Sequence, residues 1–460
     1  MKTALLSLVL AFGGCVPSRT TVFHPVDREI ERRLGIDVTW GTERVPAAIE
    51  QLLRSPLDRE AAVRIALAKN RRLQAQYDQL GIAASDIAAA TVLAPLKVDL
   101  QYKVALDGGG GSELEVEAIQ DILDLLQLPQ RRGAARADLD AARSRAVAAT
   151  VELVANVERA YVDMVAAQQQ LELRQSAFDA ASASADITER MHAAGNAPDL
   201  ALARERDRRE QTRIDVARSQ LDVEEAREAM NEVLGLSGKD TMWTVATRLP
   251  EIPQAVPPLD TIEHDAVAAS LDLAAIRAET EAAAGRLGIA RIRSVLPELG
   301  IGVAASRKDG EWEAGPALSF GLPIFNQQQG PRARANAQLR RSRNEASATA
   351  TELRAQARAT RQRVLAAHAE VRHLRDVVMP LRQRIVDETL KQYNAMNAST
   401  FELLSAQRDL VEGGRQYIDA LRRFWRASAD ARALVRGAMP RGGSEDRAPT
   451  SSNTNPSEGH

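Results

Sequence analysis

From Lys97 to Leu106 polar and apolar positions alternate. Lys97, Asp99, Gln101 and Lys103 fall on one side and Val98, Leu100, Tyr102 and Val104 on the other. A period of two with one aliphatic or aromatic face is the pattern of a strand with a lipid side and a water side. A polar, glycine-rich run from Asp107 to Ser112 leads to a less regular apolar segment over 114–128, where Ile119, Ile122, Leu123, Leu125 and Leu126 also fit helical spacing. Far downstream the alternation returns as a hairpin. Leu299, Ile301, Val303 and Ala305 interleave with Gly300, Gly302 and Ala304, Lys308-Asp309-Gly310 makes the tip, and Trp312, Ala314, Pro316, Leu318, Phe320, Leu322 and Ile324 alternate on the way back.

Between these strands the period changes from two to that of long helices. Leu139, Ala142, Ala146, Ala149, Leu153, Val157, Ala160, Met164, Ala167 and Leu171 step by three and four, which is coiled-coil spacing with alanines that let helices approach closely. This helix starts near Pro129 and Gly133, turns at His192 to Asp199, and is followed by another from Leu200 to Leu234. A helix over 57–92 precedes the first strand. After the second hairpin, Pro331 opens a pattern that reaches Ala395, roughly 95 Å at 1.5 Å per residue, with Leu339, Leu353, Val364, Val371, Leu374, Val378, Leu381 and Ile385 on its apolar stripe. A turn at Tyr393 to Ser399 leads into a last helix. Pro380 lies inside the rod, where its missing N–H and its ring predict a kink.

The order of elements occurs twice. Pro56-Leu57-Asp58 returns as Pro258-Leu259-Asp260, while Leu173-Arg174 and Leu374-Arg375, like Gly195-Asn196 and Met396-Asn397, are 201 positions apart (374 − 173). An internal repeat therefore organises the chain: a signal over 1–15, an extended N-terminal segment over 16–55, a first repeat over 56–235, a Gly/Pro linker over 236–257, a second repeat over 258–437 and a disordered tail over 438–460. The fold class is mainly α with a small β part. The chain consists of long antiparallel coiled-coil helices and two β-hairpins that give four strands.

Composition narrows the function. Of 460 residues only 3% are aromatic, and 60 basic against 62 acidic residues leave a net charge of −2. That balance gives no electrostatic case for nucleic acid. Lys2, the apolar run Ala4 to Phe12 and Gly13-Gly14-Cys15 read as an export signal, and Cys15, the only cysteine, stands where a bacterial lipoprotein carries its lipid. No other segment approaches 18 consecutive apolar residues, so a membrane-spanning part has to be a closed barrel of strands. No phosphate-binding glycine loop is present, His368 and His373 are five apart and on different helix faces, and the methionines are scattered. The expectation is a non-enzyme with no cofactor and no dedicated metal site.

The duplicated strand-to-helix transitions Gly321-Leu322-Pro323-Ile324-Phe325 and Leu128-Pro129-Gln130-Arg131-Arg132, with the paired turns at Gly195-Asn196 and Tyr393 to Leu404, resemble the TolC outer-membrane factor family and its lipoprotein branch. The resemblance covers 56–437. It implies a homotrimer whose twelve strands close a barrel in outer-membrane lipid and whose helices form an α-barrel that continues as a tunnel through the periplasm. A periplasmic adaptor and an inner-membrane transporter would be its partners, and small molecules or metal ions its cargo. On this likeness Val98, Leu100, Tyr102, Val104, Leu299, Ile301, Val303, Trp312, Leu318, Phe320 and Leu322 face lipid. Tyr393, Glu402 and Asp387 belong to the pore gate. Gly195, Asn196, Pro198, Asp199, Leu200, Asn397, Ser399, Phe401 and Leu404 form the adaptor-docking tip. Two positions depart from the pattern: Met396 stands where glycine is usual, and Ser405 where some members carry a second acid. A structural coiled-coil scaffold and a periplasmic adaptor are the competing readings. The first predicts no lipid-facing strands, and the second expects a single helical hairpin.

Overall fold

The computed structural model describes residues 19–36, 45–104, 112–256, 258–308, 310–324 and 327–440. The expected lipid site at Cys15, the glycines 108–111 and the tail beyond 440 lie outside them. In chain order the elements are α1 (Arg19–Leu34), α2 (Val45–Leu53), α3 (Arg59–Lys69), α4 (Arg71–Thr91), β1 (Lys97–Val104), β2 (Ser112–Asp121), α5 (Leu123–Leu126), α6 (Leu128–Ala193), α7 (Asp199–Leu234), α8 (Ile262–Ala269), α9 (Leu271–Val295), β3 (Leu299–Lys308), β4 (Glu311–Phe320), α10 (Gln329–His373), a π-helical turn (Leu374–Val378), α11 (Met379–Asn394) and α12 (Thr400–Val435).

The helix, hairpin, long helix, turn, helix order occurs twice, as the repeat predicts, but three boundaries differ from expectation. Within the segment 16–55, expected to be extended, Arg19–Leu34 and Val45–Leu53 are helical. In α1, Val22, Val26 and Ile30 recur every four residues and are buried, and α1 packs on α4, so an apolar stripe fixes the helix despite the internal Pro25. The helix expected over 57–92 is two: Asn70 adopts an extended ψ of 110° and its side-chain amide donates to the Val233 carbonyl at 2.8 Å. The second strand ends at Asp121, and the apolar residues after it enter α5, whose first amides are capped by Asp121 Oδ1 (2.8 Å to Leu123 N).

The chain forms two compact units, and they cut across the repeats. One comprises 1–40, 71–150 and 270–354; the other comprises 41–70, 151–269 and 355–460. The first unit holds the sheet, ordered β1-β2-β3-β4 with every neighbour antiparallel. Gly302 is required there, because a Cβ would come within 2.0 Å of the Ala118 carbonyl oxygen across the β2–β3 pair. Its helical part is centred on Tyr77, which stacks on Phe23 at 6.1 Å between centroids and bonds Thr150 Oγ1 at 2.9 Å. Burial pushes the Tyr77 phenol well above its ordinary pKa.

The second unit packs the later part of α6 against α12, where Phe424, Leu434 and Met164 are fully buried. Polar pairs join the same helices: Arg426 with Asp163 at 2.9 Å, Gln170 with Asp419 at 2.6 Å, and Arg159 with Asp430. Asp163 is pushed upward by desolvation in spite of Arg426. The Pro-rich linker is tied down in this unit. Trp425 Nε1 donates to the Pro250 carbonyl at 2.8 Å, His368 Nε2 to the Pro253 carbonyl at 2.9 Å, and Gln169 accepts from Leu249 N at 3.0 Å. Among the described residues no helix is long and apolar enough to cross a membrane.

Candidate functional site

The sheet has two chemically opposite faces, and the register shows which residues share each. Val98 pairs with Ala118, Leu100 with Val116 and Tyr102 with Leu114; Ala118 pairs with Val303; Val303 pairs with Pro316, Ile301 with Leu318 and Leu299 with Phe320. Directly opposed residues point to the same side, so these side chains form one apolar surface, and most of its large members are exposed. The intervening residues form the other face. On β1 and β2 these are Lys97, Asp99, Gln101, Lys103, Glu113, Glu115, Glu117, Ile119 and Asp121; on β3 and β4 they are mostly Gly, Ala and Ser. Lys103 bonds Glu115 at 3.1 Å, whereas Asp99 stands directly opposite Glu117. The outer edges of β1 and β4 have no strand partner within the described chain.

In the second unit two turns share one backbone design. At the end of α6, Gly195 N donates to the His192 carbonyl and Asn196 N to the Met191 carbonyl, each at 2.8 Å, with Gly195 at φ 77°. At the end of α11, Met396 N donates to the Tyr393 carbonyl at 2.9 Å and Asn397 N to the Gln392 carbonyl at 2.8 Å, with Met396 at φ 61°. Both are Schellman caps, which require a left-handed residue after the helix. The two capping positions are the 201-spaced pair of the repeat. Met396 is 94% exposed, and as a non-glycine in this region it carries a conformational cost of about 1–2 kcal/mol. Met396→Gly is therefore expected to stabilise the second turn by about 1 kcal/mol, read as slower amide exchange at Asn397 and in the last turn of α11. Faster exchange in the variant would show that Met396 makes a contact that offsets its strain.

The next helix starts differently in each turn. Pro198 precedes α7 without a side-chain cap, while Ser399 precedes α12 with a reciprocal capping box. Glu402 Oε2 accepts from Ser399 N at 2.7 Å and from Ser399 Oγ at 3.0 Å, and Ser399 Oγ accepts from Glu402 N at 3.2 Å. The backbone amide of Ser399 in particular holds the Glu402 carboxyl below its ordinary 4.5. A depressed acid contributes stability above the unfolded value and loses it as pH falls through the lower folded value, so the cap is fully formed at neutral pH.

Between the long helices of the second half lies a weak level. The ladder of α10 widens to π geometry over Leu374–Val378, and Pro380 follows at once as the second residue of α11. Across from it, on α12, a Cβ on Gly413 would lie 2.7 Å from Arg382 Nη1 and 3.0 Å from Met379 Sδ. The Arg382 guanidinium spans the same gap and donates to the Asp409 carbonyl at 2.6 Å.

No protein-family model matches the sequence, and no curated protein matches it significantly. Solved structures do match. A membrane protein from Pseudomonas aeruginosa is 19% identical, covers 82% of this chain and 93% of its own, and superposes with a TM-score of 0.69. The CmeC outer membrane channel of Campylobacter jejuni gives 16% identity, 84% and 87% coverage, and a TM-score of 0.69. The outer membrane protein VceC of Vibrio cholerae gives 15%, 86%, 97% and 0.65. This is the outer-membrane channel fold.

Within that fold the residues expected to face lipid on β1, β3 and β4 share the apolar face, and Leu322 continues it exposed beyond β4. The register adds Leu114, Val116 and Ala118 of β2, which the sequence concealed because Glu113, Glu115 and Glu117 interleave with a segment that also fits helical spacing. The expected tip residues all lie in or beside the two turns. Leu200 and Phe401 are exposed there, and Arg408 lies over the Phe401 ring at 5.9 Å.

The expected gate residues are not brought together. Among the described residues no hydrogen bond or ion pair links Tyr393, Glu402 and Asp387 to one another. Glu402 caps its own helix, Asp387 accepts from Gln383 at 2.9 Å, and Tyr393 is partly exposed at the end of α11. The Ser399-x-x-Glu402 spacing is itself the sequence signature of a capping box, and it gives Glu402 a structural role at the start of α12. Arg208 stands beside the second turn. It lies near the Leu404 carbonyl at 3.5 Å, and desolvation lowers its pKa.

Proposed function

We propose that this chain is the outer-membrane exit duct of a tripartite efflux or secretion pump, a passive channel that moves small molecules or metal ions. The observation that carries this reading is the sheet: one exposed apolar face, an opposite face of charged and small residues, and two open edges, attached to paired long helices. An open edge is prohibitive in lipid, so the strands have to close with copies of themselves. Two copies give an eight-stranded barrel whose interior side chains fill it, while three give twelve strands and a lumen. Exposed apolar residues on the helices support packing between copies: Leu381 and Ile385 four apart on α11, Ile214 and Leu221 seven apart on α7. The turns at Gly195 and Met396 are then the adaptor-docking tip, the apolar face meets outer-membrane lipid, and Cys15, four residues before α1, carries the lipid anchor.

The test is fractionation of cells expressing the full chain. A heat-modifiable trimer band in the outer membrane and a co-purifying adaptor are expected, and a monomer in the periplasmic fraction would overturn the reading. A scaffold or adaptor leaves the two-faced sheet without a purpose.

The gate role of Glu402 is tested by two variants in planar bilayers. Glu402→Gln keeps a capping box, since Gln serves at that position, and removes three charges per trimer; it is expected to reduce cation preference. Glu402→Ala is expected to do the same and also to destabilise the start of α12 by about 1 kcal/mol. Unchanged selectivity in Glu402→Gln removes Glu402 from the pore and leaves it a helix cap.

A further inference from the structure

At the strand-to-helix junctions the exposed surface turns from apolar to cationic over about two helical turns. Leu125, Pro129, Arg132 and Arg136 follow at spacings of four, three and four through α5 and the start of α6, and all four are exposed. At the end of α9, Arg291 and Val295 are four apart and both exposed, Val295 at 76%. After β4, exposed Leu322 and Ile324 are followed by exposed Arg332 on the first turn of α10. The same order, apolar residue next to the sheet and arginine beyond it, thus recurs on three separate connections.

These arginines differ from their neighbours in being unspent. Arg131 and Arg293 are held by Asp124 at 3.3 and 2.9 Å, and Arg286 by Asp138. Among the described residues Arg132, Arg136, Arg291 and Arg332 have no carboxylate within ion-pair distance. The paired set binds the helices together; the unpaired set is exposed on the helix turns next to the sheet.

We propose that Arg132, Arg136, Arg291 and Arg332 form a headgroup belt that selects anionic phospholipid in the leaflet on the helix side of the membrane. The inference rests on the reading that the apolar sheet face meets lipid, and adds to it which lipid the junction prefers. Guanidinium groups suit this ligand because their planar fork donates two parallel hydrogen bonds to a phosphate. The spacing suits it too. Arg132 lies seven residues past Leu125, about 10 Å along the helix, near the depth of a headgroup layer adjoining the hydrocarbon. Helical side chains lean towards their own N-terminus, which on α6 and α10 is the sheet end, so Arg132, Arg136 and Arg332 lean towards the membrane. On α9 the polarity is reversed, and there the arginine sits only one turn from Val295.

The experiment titrates the detergent-purified full-length protein with phosphatidylglycerol or phosphatidylcholine and counts bound lipids by native mass spectrometry. The wild type is expected to prefer phosphatidylglycerol by at least about fivefold, with the preference falling as salt rises. R132Q/R136Q/R291Q/R332Q is expected to lose the preference, and the same four positions as lysine to keep most of it. The pairs R132Q/R136Q and R291Q/R332Q are each expected to lose part of it, which covers the case in which the fourfold variant fails to assemble. A wild type without preference, glutamine variants that keep it, or an equal loss from R204Q/R213Q/R384Q/R408Q on other helices would overturn the belt. Channel insertion into pure phosphatidylcholine bilayers separates the two ideas: insertion without lipid preference ends the belt alone, and no insertion into any bilayer ends both.

Discussion

Val303→Arg is expected to remove the protein from the outer membrane. Val303 lies at the middle of β3, is 57% exposed, and pairs with Ala118 on one side and Pro316 on the other, all on the apolar face. An arginine on the lipid face at the bilayer midplane costs about 2–4 kcal/mol. Three copies in a trimer raise this to about 6–12 kcal/mol, comparable with the whole stability of an ordinary domain. The readout is the heat-modifiable trimer band in the outer-membrane fraction, which should disappear. Ala304→Arg, one residue on, is the matched control. It falls on the opposite face beside Glu117, so the band should persist and only conductance should change. If both variants assemble equally well, the apolar face does not meet lipid. If both fail, the strand tolerates no bulk and the experiment has measured packing rather than polarity; Val303→Leu, which keeps the face apolar, should then fail as well.

That pair of variants can be written from the sequence because period-two alternation survives wherever a strand is exposed on one face and wet on the other. β1, β3 and β4 were legible for that reason, and so were the long helices, whose alanine and leucine positions repeat every three or four residues. β2 was only half legible. Its polar positions alternate cleanly, but Ile119 lies on the charged face over Gly300, and the apolar residues that follow belong to a helix turn. The segment α1 was missed because Pro25 and the charged residues around it suggested an extended chain, while Val22, Val26 and Ile30 obtain their stability from a partner helix distant in sequence. The break at Asn70 was equally invisible, since its amide satisfies a carbonyl more than a hundred residues away. Of the candidate site, the turns were legible through the repeat, including the anomaly at Met396. The capping role of Glu402 was open to view in the Ser399-x-x-Glu402 spacing, while a place at the gate depends on how copies of the chain assemble.

Pro380→Ala is expected to reduce channel opening. The π turn over Leu374–Val378 and Pro380 interrupt the helix that leads to the Met396 turn. Restoring an N–H and removing the ring strengthens an interior helical position by up to about 3 kcal/mol. On the facing helix Gly413 sits against Met379 and Arg382, and it is followed by Gly414, so both helices of this hairpin are weakest at one level. The 201-residue repeat supplies an internal comparison. The positions equivalent to Pro380, Gly413 and Gly414 in the first hairpin are Asp179, Thr212 and Arg213, in helices that remain α throughout. Any bending is therefore expected in the second hairpin rather than the first. Straightening the weak level should shift the balance towards the closed arrangement: about 3 kcal/mol corresponds to roughly a hundredfold change in an equilibrium constant, and part of that should appear as lower open probability in planar bilayers. Gly413→Ala should act in the same direction but less, because it adds about 1 kcal/mol of helix preference and forces Arg382 to move. Unchanged conductance and efflux in Pro380→Ala would show that the π turn accommodates the proline without acting as a hinge. Reduced efflux with normal bilayer conductance would place the effect in adaptor docking instead of opening.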